Sequence, residues 1–180
     1  MSKDPRDGLK LRLGYEVARE IERTPIISLG VQDAATKAIN SVLYQRLQDQ
    51  IIDEFNFFQD WSEKYQYLID LGKSLPEFND SNRIDSNLIK GCQSKVWLNS
   101  SFDNNIVIFE ADSDAIISKG IISLLIRVFS GHTPDEIIEA NIDFIEKIGL
   151  NSHLSQTRAN GLLSMIKQIK IYAIAYQAKN

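Results

Sequence analysis

Asn87-Leu88-Ile89-Lys90-Gly91-Cys92-Gln93-Ser94-Lys95-Val96-Trp97-Leu98 joins two kinds of sequence. Upstream, Phe78 to Ser86 is polar and turn-prone. Downstream, Val96, Leu98, Ile106 and Ile108 keep the period-two alternation of strands. Asp103-Asn104-Asn105 between them has the composition of a turn. Two strands, near Lys95 to Ser101 and Ile106 to Ala111, are therefore expected as an antiparallel hairpin, with room for a third strand elsewhere. Cys92 falls on a loop at the mouth of the first strand.

Cys92 is the sole cysteine of the chain. Alone it closes no internal disulfide, and it cannot build a zinc site, which needs about four ligands. Two readings stand beside each other. A free cysteine often serves as a small buried hydrophobe. A cysteine on a polar loop can instead be a nucleophile or a carrier. Lys90, Gln93 and Ser94 make a polar setting, and Lys90 and Lys95 are placed to favour the thiolate, the reactive form. Gly91 directly before the thiol permits a positive φ or a close backbone approach. Gln93 is either a hydrogen-bonding neighbour of the thiol or an ordinary loop amide.

Helices are expected on both sides of the hairpin. Leu47, Ile51, Ile52, Phe55 and Phe58 form an apolar stripe in a helix over Leu43 to Phe58. A second helix carries Trp61, Tyr65, Leu68 and Ile69. Asp60 and Glu63 are spaced for its capping box, Gly72 for its C-cap region, and Pro76 for a stop. Ser113-Asp114 opens a nearly all-apolar helix to about Ser130. Gly120 inside it costs about 1 kcal/mol against alanine, so close packing with a neighbour is the expected compensation. Thr133-Pro134-Asp135-Glu136 is a capping-box start with proline at the first position. Ile142 to Ile148 suggests a short helix. A last helix, capped by Ser155 or Thr157, turns Leu162, Leu163, Ile166, Ile169, Ala173 and Tyr176 inward. Helices around a small antiparallel sheet make an α+β domain.

Residues 43–180 read as that domain, and residues 1–42 as an N-terminal extension of unknown role. In the extension, Leu9, Leu13, Val17 and Ile21 recur every four residues as in an amphipathic helix, and Thr24-Pro25 should end it. Val31 to Ile39 suggests another short helix. A docking element and a poorly tied terminus both fit.

Over 180 residues the net charge is −4, which argues against general nucleic-acid binding. No apolar run reaches the roughly 20 residues that span a bilayer. One cysteine and no apolar signal core lead to the expectation of a cytoplasmic protein. There is no metal-ligand cluster and no Gly-rich phosphate loop, so no metal or cofactor is expected. His132 and His153 are the only histidines available as a base for a cysteine hydrolase, and both lie in expected turns.

Gly91-Cys92-Gln93-Ser94-Lys95-Val96-Trp97 resembles the signature of the SufE family, the sulfur-acceptor proteins of iron–sulfur cluster assembly. Trp61-Ser62-Glu63-Lys64-Tyr65 and Leu71-Gly72-Lys73-Ser74-Leu75-Pro76 are similar to the family's segment ahead of the cysteine. Asp112 to Gly120, Thr133-Pro134 and Leu154 to Leu162 resemble its later landmarks. The resemblance runs from about Gln48 to the C-terminus.

It implies that Cys92 takes sulfane sulfur, as a persulfide, from a SufS-like cysteine desulfurase. The protein would stimulate that enzyme and pass the sulfur to a SufBCD-like scaffold. Pyridoxal phosphate would then belong to the desulfurase, not to this chain. In that setting Lys119 and Arg158 are candidates for partner contact. Arg158 is equally a candidate to pair with Asp112 or Asp114. The last helix offers a face for a homodimer, although the core accounts for its apolar residues. The rival readings are an adaptor that regulates a desulfurase without accepting sulfur, and a single-cysteine thiol peroxidase.

Overall fold

The computed structural model describes residues 34–179. Among these, seven α-helices pack around a two-stranded antiparallel sheet, so the fold is α+β as expected. Helix α1 (Ala34–Phe57) is continuous. The helix expected over Leu43 to Phe58 and the end of the one expected over Val31 to Ile39 are thus one element, and position 42 lies inside it. The Leu9 to Ile21 pattern lies outside the described residues.

Helix α2 (Trp61–Lys73) starts at Asp60, whose side chain accepts from Glu63 N at 2.9 Å. The return arm of the capping box reaches one residue further back: Gln59 N donates to Glu63 Oε2 at 3.0 Å. Gly72 lies in the last turn of the helix, within the expected C-cap region. The cap is Ser74, whose N–H and hydroxyl both bond Leu71 O. Gly72 also serves packing.

Two 3₁₀ turns follow (Asp80–Asn82 and Asp85–Asn87), then the Cys92 loop, then the hairpin of β1 (Val96–Asp103) and β2 (Ile106–Ser113). Asp103 pairs with Ile106 across a two-residue turn in which Asn104 and Asn105 both have positive φ. Asparagine tolerates that conformation, and the turn hand suits twisted strands. Among the described residues no third strand joins the sheet. Only isolated bridges extend it, Leu88 with Trp97 and Val107 with His132. On β2 the buried set is Val107, Phe109 and Ala111, and Ile106 and Ile108 take the more open face.

Helix α3 (Ile116–Phe129) is the hub. Gly120 crosses α2 at Gly72, backbone on backbone. A Cβ at Gly120 would stand 2.2 Å from Leu68 O, and one at Gly72 2.9 Å from Gly120 N. Ser123 Oγ donates to Leu71 O at 2.9 Å across the same crossing. A second tie joins α1, α2 and α3. The Arg127 guanidinium grips Glu54 with two bonds of 2.6 and 2.7 Å, and Tyr67 OH donates to the same carboxylate at 2.5 Å. These side chains are nearly withdrawn from water, Glu54 8% and Arg127 12% exposed. Burial, and the Glu54 charge, push the Tyr67 hydroxyl well up from its ordinary value despite the opposing pull of Arg127.

Helix α4 (Pro134–Glu139) begins with the full Thr133/Glu136 capping box. Short helices α5 (Phe144–Lys147) and α6 (Leu150–His153) lead to α7 (Gln156–Gln177). Ser155 occupies the N-cap position of α7 without a capping bond from its side chain. The inner face of α7 is Leu162, Met165, Ile166, Ile169 and Ala173. Leu163, expected inside, is 61% exposed. Tyr172 OH donates to Leu98 O and Tyr176 OH to Ser100 O, both at 3.1 Å, fastening the far half of α7 to β1.

Two stability outcomes follow. Helix propensity alone would make Gly120→Ala stabilising by about 1 kcal/mol. The backbone contact reverses the sign, and a loss of about 3 kcal/mol is expected as a lower urea midpoint at unchanged slope. Glu54→Ala strands a buried guanidinium and should cost about 3–5 kcal/mol. Joint replacement of Glu54, Tyr67 and Arg127 by apolar residues of similar volume should cost less than Glu54→Ala alone, measured the same way.

Candidate functional site

Cys92 sits near the tip of a loop with a bonded stem. Ile89 N donates to Val96 O at 2.8 Å, and Leu88 bridges Trp97. On the other side Lys95 N donates to Asp114 Oδ1 at 2.9 Å. Asp114 N and Ser113 Oγ both bond Lys95 O, at 3.2 and 2.8 Å. The stem thus fixes where the loop leaves and returns.

The interior lies on the first turns of α7. Gly91 has φ 93°, in the left-handed region, and a Cβ there would come within 2.7 Å of Ser164 Oγ. Glycine is needed twice over, for the turn and for the contact. Cys92 Sγ is half-buried and donates to Gly161 O at 3.6 Å, a weak sulfur hydrogen bond. A Cβ on Gly161 would lie 3.5 Å from the same sulfur, so the thiol lies directly on the helix backbone. Ser94 Oγ is 2.6 Å from Ser118 Oγ of α3. Beside the loop a groove of about 450 Å³ is lined by Asp85, Lys90, Lys167, Ser164, Leu88 and Ile171 among others, so its walls carry both charges as well as polar and apolar groups.

Burial pushes the Cys92 thiol up from its ordinary value. Lys90 and Lys95, expected to favour the thiolate, are exposed, and the shift of the thiol follows from its burial. Gln93 also points outward and makes no hydrogen bond among the described residues. Neither histidine touches the thiol. His132 is buried 3.5 Å from Glu136 and edge-on to Tyr44, and His153 stacks on Trp61 at 3.8 Å.

The outer candidates separate. Lys119 Nζ lies 2.7 Å from Asp112 Oδ1, and Arg83 Nη2 donates to Asp112 Oδ2 at 2.5 Å. Burial works to raise the Asp112 carboxyl, but Lys119 and Arg83 outweigh it and hold the group below the usual carboxylate range. Arg158 holds neither Asp112 nor Asp114. It is exposed and makes no ion pair among the described residues. Arg83 was not visible as a site residue. It lies in an aperiodic loop, 29 positions from its partner. Among the described residues no group of His, Cys, Asp and Glu could hold a metal ion, and no helix is long and apolar enough to cross a membrane.

The thiol's sign is testable. A thiol whose folded pKa is raised contributes stability below the unfolded value, about 8.5. That contribution is lost as pH rises through the folded pKa. Thiolate absorbance should therefore titrate above pH about 8.5, and Cys92→Ala should lose less stability on the alkaline side than the native chain.

Residues 49–173 match the family described as SufE: Fe-S metabolism associated domain. An uncharacterized SufE-like protein of Rhizobium meliloti is 43% identical over 127 residues, 68% of this chain and 91% of the relative. An uncharacterized SufE-like protein of Synechocystis is 36% identical over 128 residues, 71% of this chain and 80% of the relative. The solution structure of a hypothetical protein from Thermus thermophilus shares the fold at a TM-score of 0.62 and 16% identity, over 73% of this chain and 96% of that one. The matched residues include the Cys92 loop, its seat on α7 and the α2–α3 crossing behind it, and on that evidence the chain belongs to the SufE family.

Proposed function

We propose that, within iron–sulfur metabolism, this protein carries sulfur on Cys92. The observation that supports it most is a sole cysteine on a loop with a bonded stem, its thiol laid against a helix and no base beside it. A hydrolase or a disulfide-forming redox pair would need further groups there. A carrier needs only the thiol.

The donor in this reading is the persulfide of a cysteine desulfurase. The Cys92 thiolate attacks the terminal sulfur, the S–S bond of the donor breaks, and the donor cysteine leaves as a thiolate. Cys92 then holds a persulfide, and no net oxidation or reduction occurs. A thiolate on an iron–sulfur scaffold takes the sulfur by the same displacement. A second thiol nearby would instead attack the persulfide, close a disulfide and expel sulfide, so one cysteine suits the task.

The resting geometry favours storage over attack. Burial disfavours the thiolate, and the same shelter protects a persulfide from reductants. Attack therefore calls for the loop to leave α7 when the donor docks. Gly91, with its positive φ, is the hinge in this reading. Lys119 keeps Asp112 in place, and Arg158, exposed and unpaired among the described residues, is left for the partner.

Intact mass tests the proposal. After incubation with a cysteine desulfurase and free cysteine, quenched without reductant, the chain should gain one sulfur atom on Cys92. The gain should be absent in Cys92→Ser and reversed by a thiol reductant. Binding and stimulation of an active desulfurase without that gain would replace the carrier with an adaptor.

A further inference from the structure

The loop's stem is bonded on both strands, yet among the described residues its interior, residues 90–94, has only two polar ties to the body of the protein. One is the thiol's own long bond to Gly161 O at 3.6 Å. The other is the Ser94 to Ser118 hydroxyl pair at 2.6 Å. Ser118 is 8% exposed on a helix that is otherwise apolar around it, and its hydroxyl has this partner across the loop. A buried hydroxyl on an apolar helix costs desolvation unless it is bonded. Ser94 is two residues from the thiol, so what holds Ser94 limits how far Cys92 can leave its seat.

We infer that Ser118 is a positioning residue for Cys92: through Ser94 it latches the loop onto α3 and keeps the thiol on α7. Loss of the latch leaves the stem intact, because the Ile89–Val96 and Lys95–Asp114 bonds do not involve either serine. The Ser94 hydroxyl, half-buried, can turn to water when its partner goes. The interior of the loop then spends more time away from Gly161, and the thiol meets solvent more often. The latch concerns the same thiol as the proposed sulfur transfer, but it does not depend on the identity of the donor.

Alkylation of the purified full chain by iodoacetamide reads it without any desulfurase. Ser118→Ala should raise the rate at Cys92 by about fivefold, the effect of losing one hydrogen bond of ordinary net strength. The midpoint of the rate against pH should move toward lower pH as the thiol leaves its buried seat. The charged groups on the elements around the thiol are unchanged in every variant: Lys90 and Lys95 in the loop, Asp114 at its base, Lys119 on α3, and Arg158 and Lys167 on α7. Ser94→Ala should act alike, and the double variant should exceed neither single one, since both remove one bond. If Ser118→Ala fails to fold, Ser94→Ala carries the test from the more exposed side.

Ser123→Ala is the control, because it removes a buried hydroxyl on the same helix that bonds Leu71 O, away from the loop. Its alkylation rate should equal that of the native chain. Unchanged rates in Ser118→Ala and Ser94→Ala would overturn the latch. So would additive effects in the double variant, or an equal rise in Ser123→Ala. A latch confirmed in a chain that gains no sulfur would leave this inference standing and remove the carrier reading.

Discussion

Helix α3 has almost no side that can face water, and the rest of the fold is arranged to cover it. Ten of its 14 residues are buried. The α2 backbone covers one side at the Gly72–Gly120 crossing, and β2, α7 and α1 close the others. A helix so enclosed can carry polar residues only where each has a partner. Its four polar side chains meet that condition in four directions. Ser118 reaches the Cys92 loop, Lys119 the hairpin exit, Ser123 the end of α2, and Arg127 the α1 carboxylate. The helix that forms the core thereby also sets the position of the elements around the thiol.

The site inherits its character from that arrangement. Asp112, at the end of β2, is held from α3 by Lys119 and from the preceding loop by Arg83. The stem of the cysteine loop is bonded to the next residues of the same strand exit. At the opposite wall, α7 is fixed at both ends. Its start follows the Trp61–His153 stack, and its far half is bonded to β1 by two tyrosines. Gly161 and Ser164 lie between these anchors. The wall against which the thiol rests is therefore firm, while the loop resting on it has few ties of its own. Electrostatics adds little at the sulfur: burial governs its protonation, and the nearby lysines stay in solvent.

Much of this was legible in the residues, for local reasons. Asp60 with Glu63 and Thr133 with Glu136 are spacing signals that depend on adjacent backbone alone. The Asn-Asn turn and the nearly all-apolar helix containing Gly120 are read the same way. What escaped was whatever depended on distant partners. The alternation read at Ile106 and Ile108 picked the more open parity, because Ile106 to Phe109 is apolar at every position; the two-residue turn decides the buried parity through the register. Gly72 reads as marking the helix end, which it does, but its packing role is set by Gly120 far along the chain. Leu163 fits a helical stripe but falls on the face that no element covers. Arg83 had no periodicity to mark it, and the effect of burial at Cys92 required knowing the wall behind it.

The bonded stem has a consequence for how such a protein can change over generations. Folding is secured by residues outside the five-residue interior of the loop: the stem bonds, the α2–α3 crossing and the Arg127–Glu54 tie. Within that interior, Gly91 is constrained by its φ and by Ser164, while Lys90 and Gln93 are exposed. Selection on the reactivity of the thiol can therefore act at Lys90 and Gln93 at small cost to stability, whereas a change at buried Ser118 or Gly161 touches both stability and the thiol. Fold and chemistry are inherited as largely separable traits that meet at the buried positions under the loop, Ser118 and Gly161.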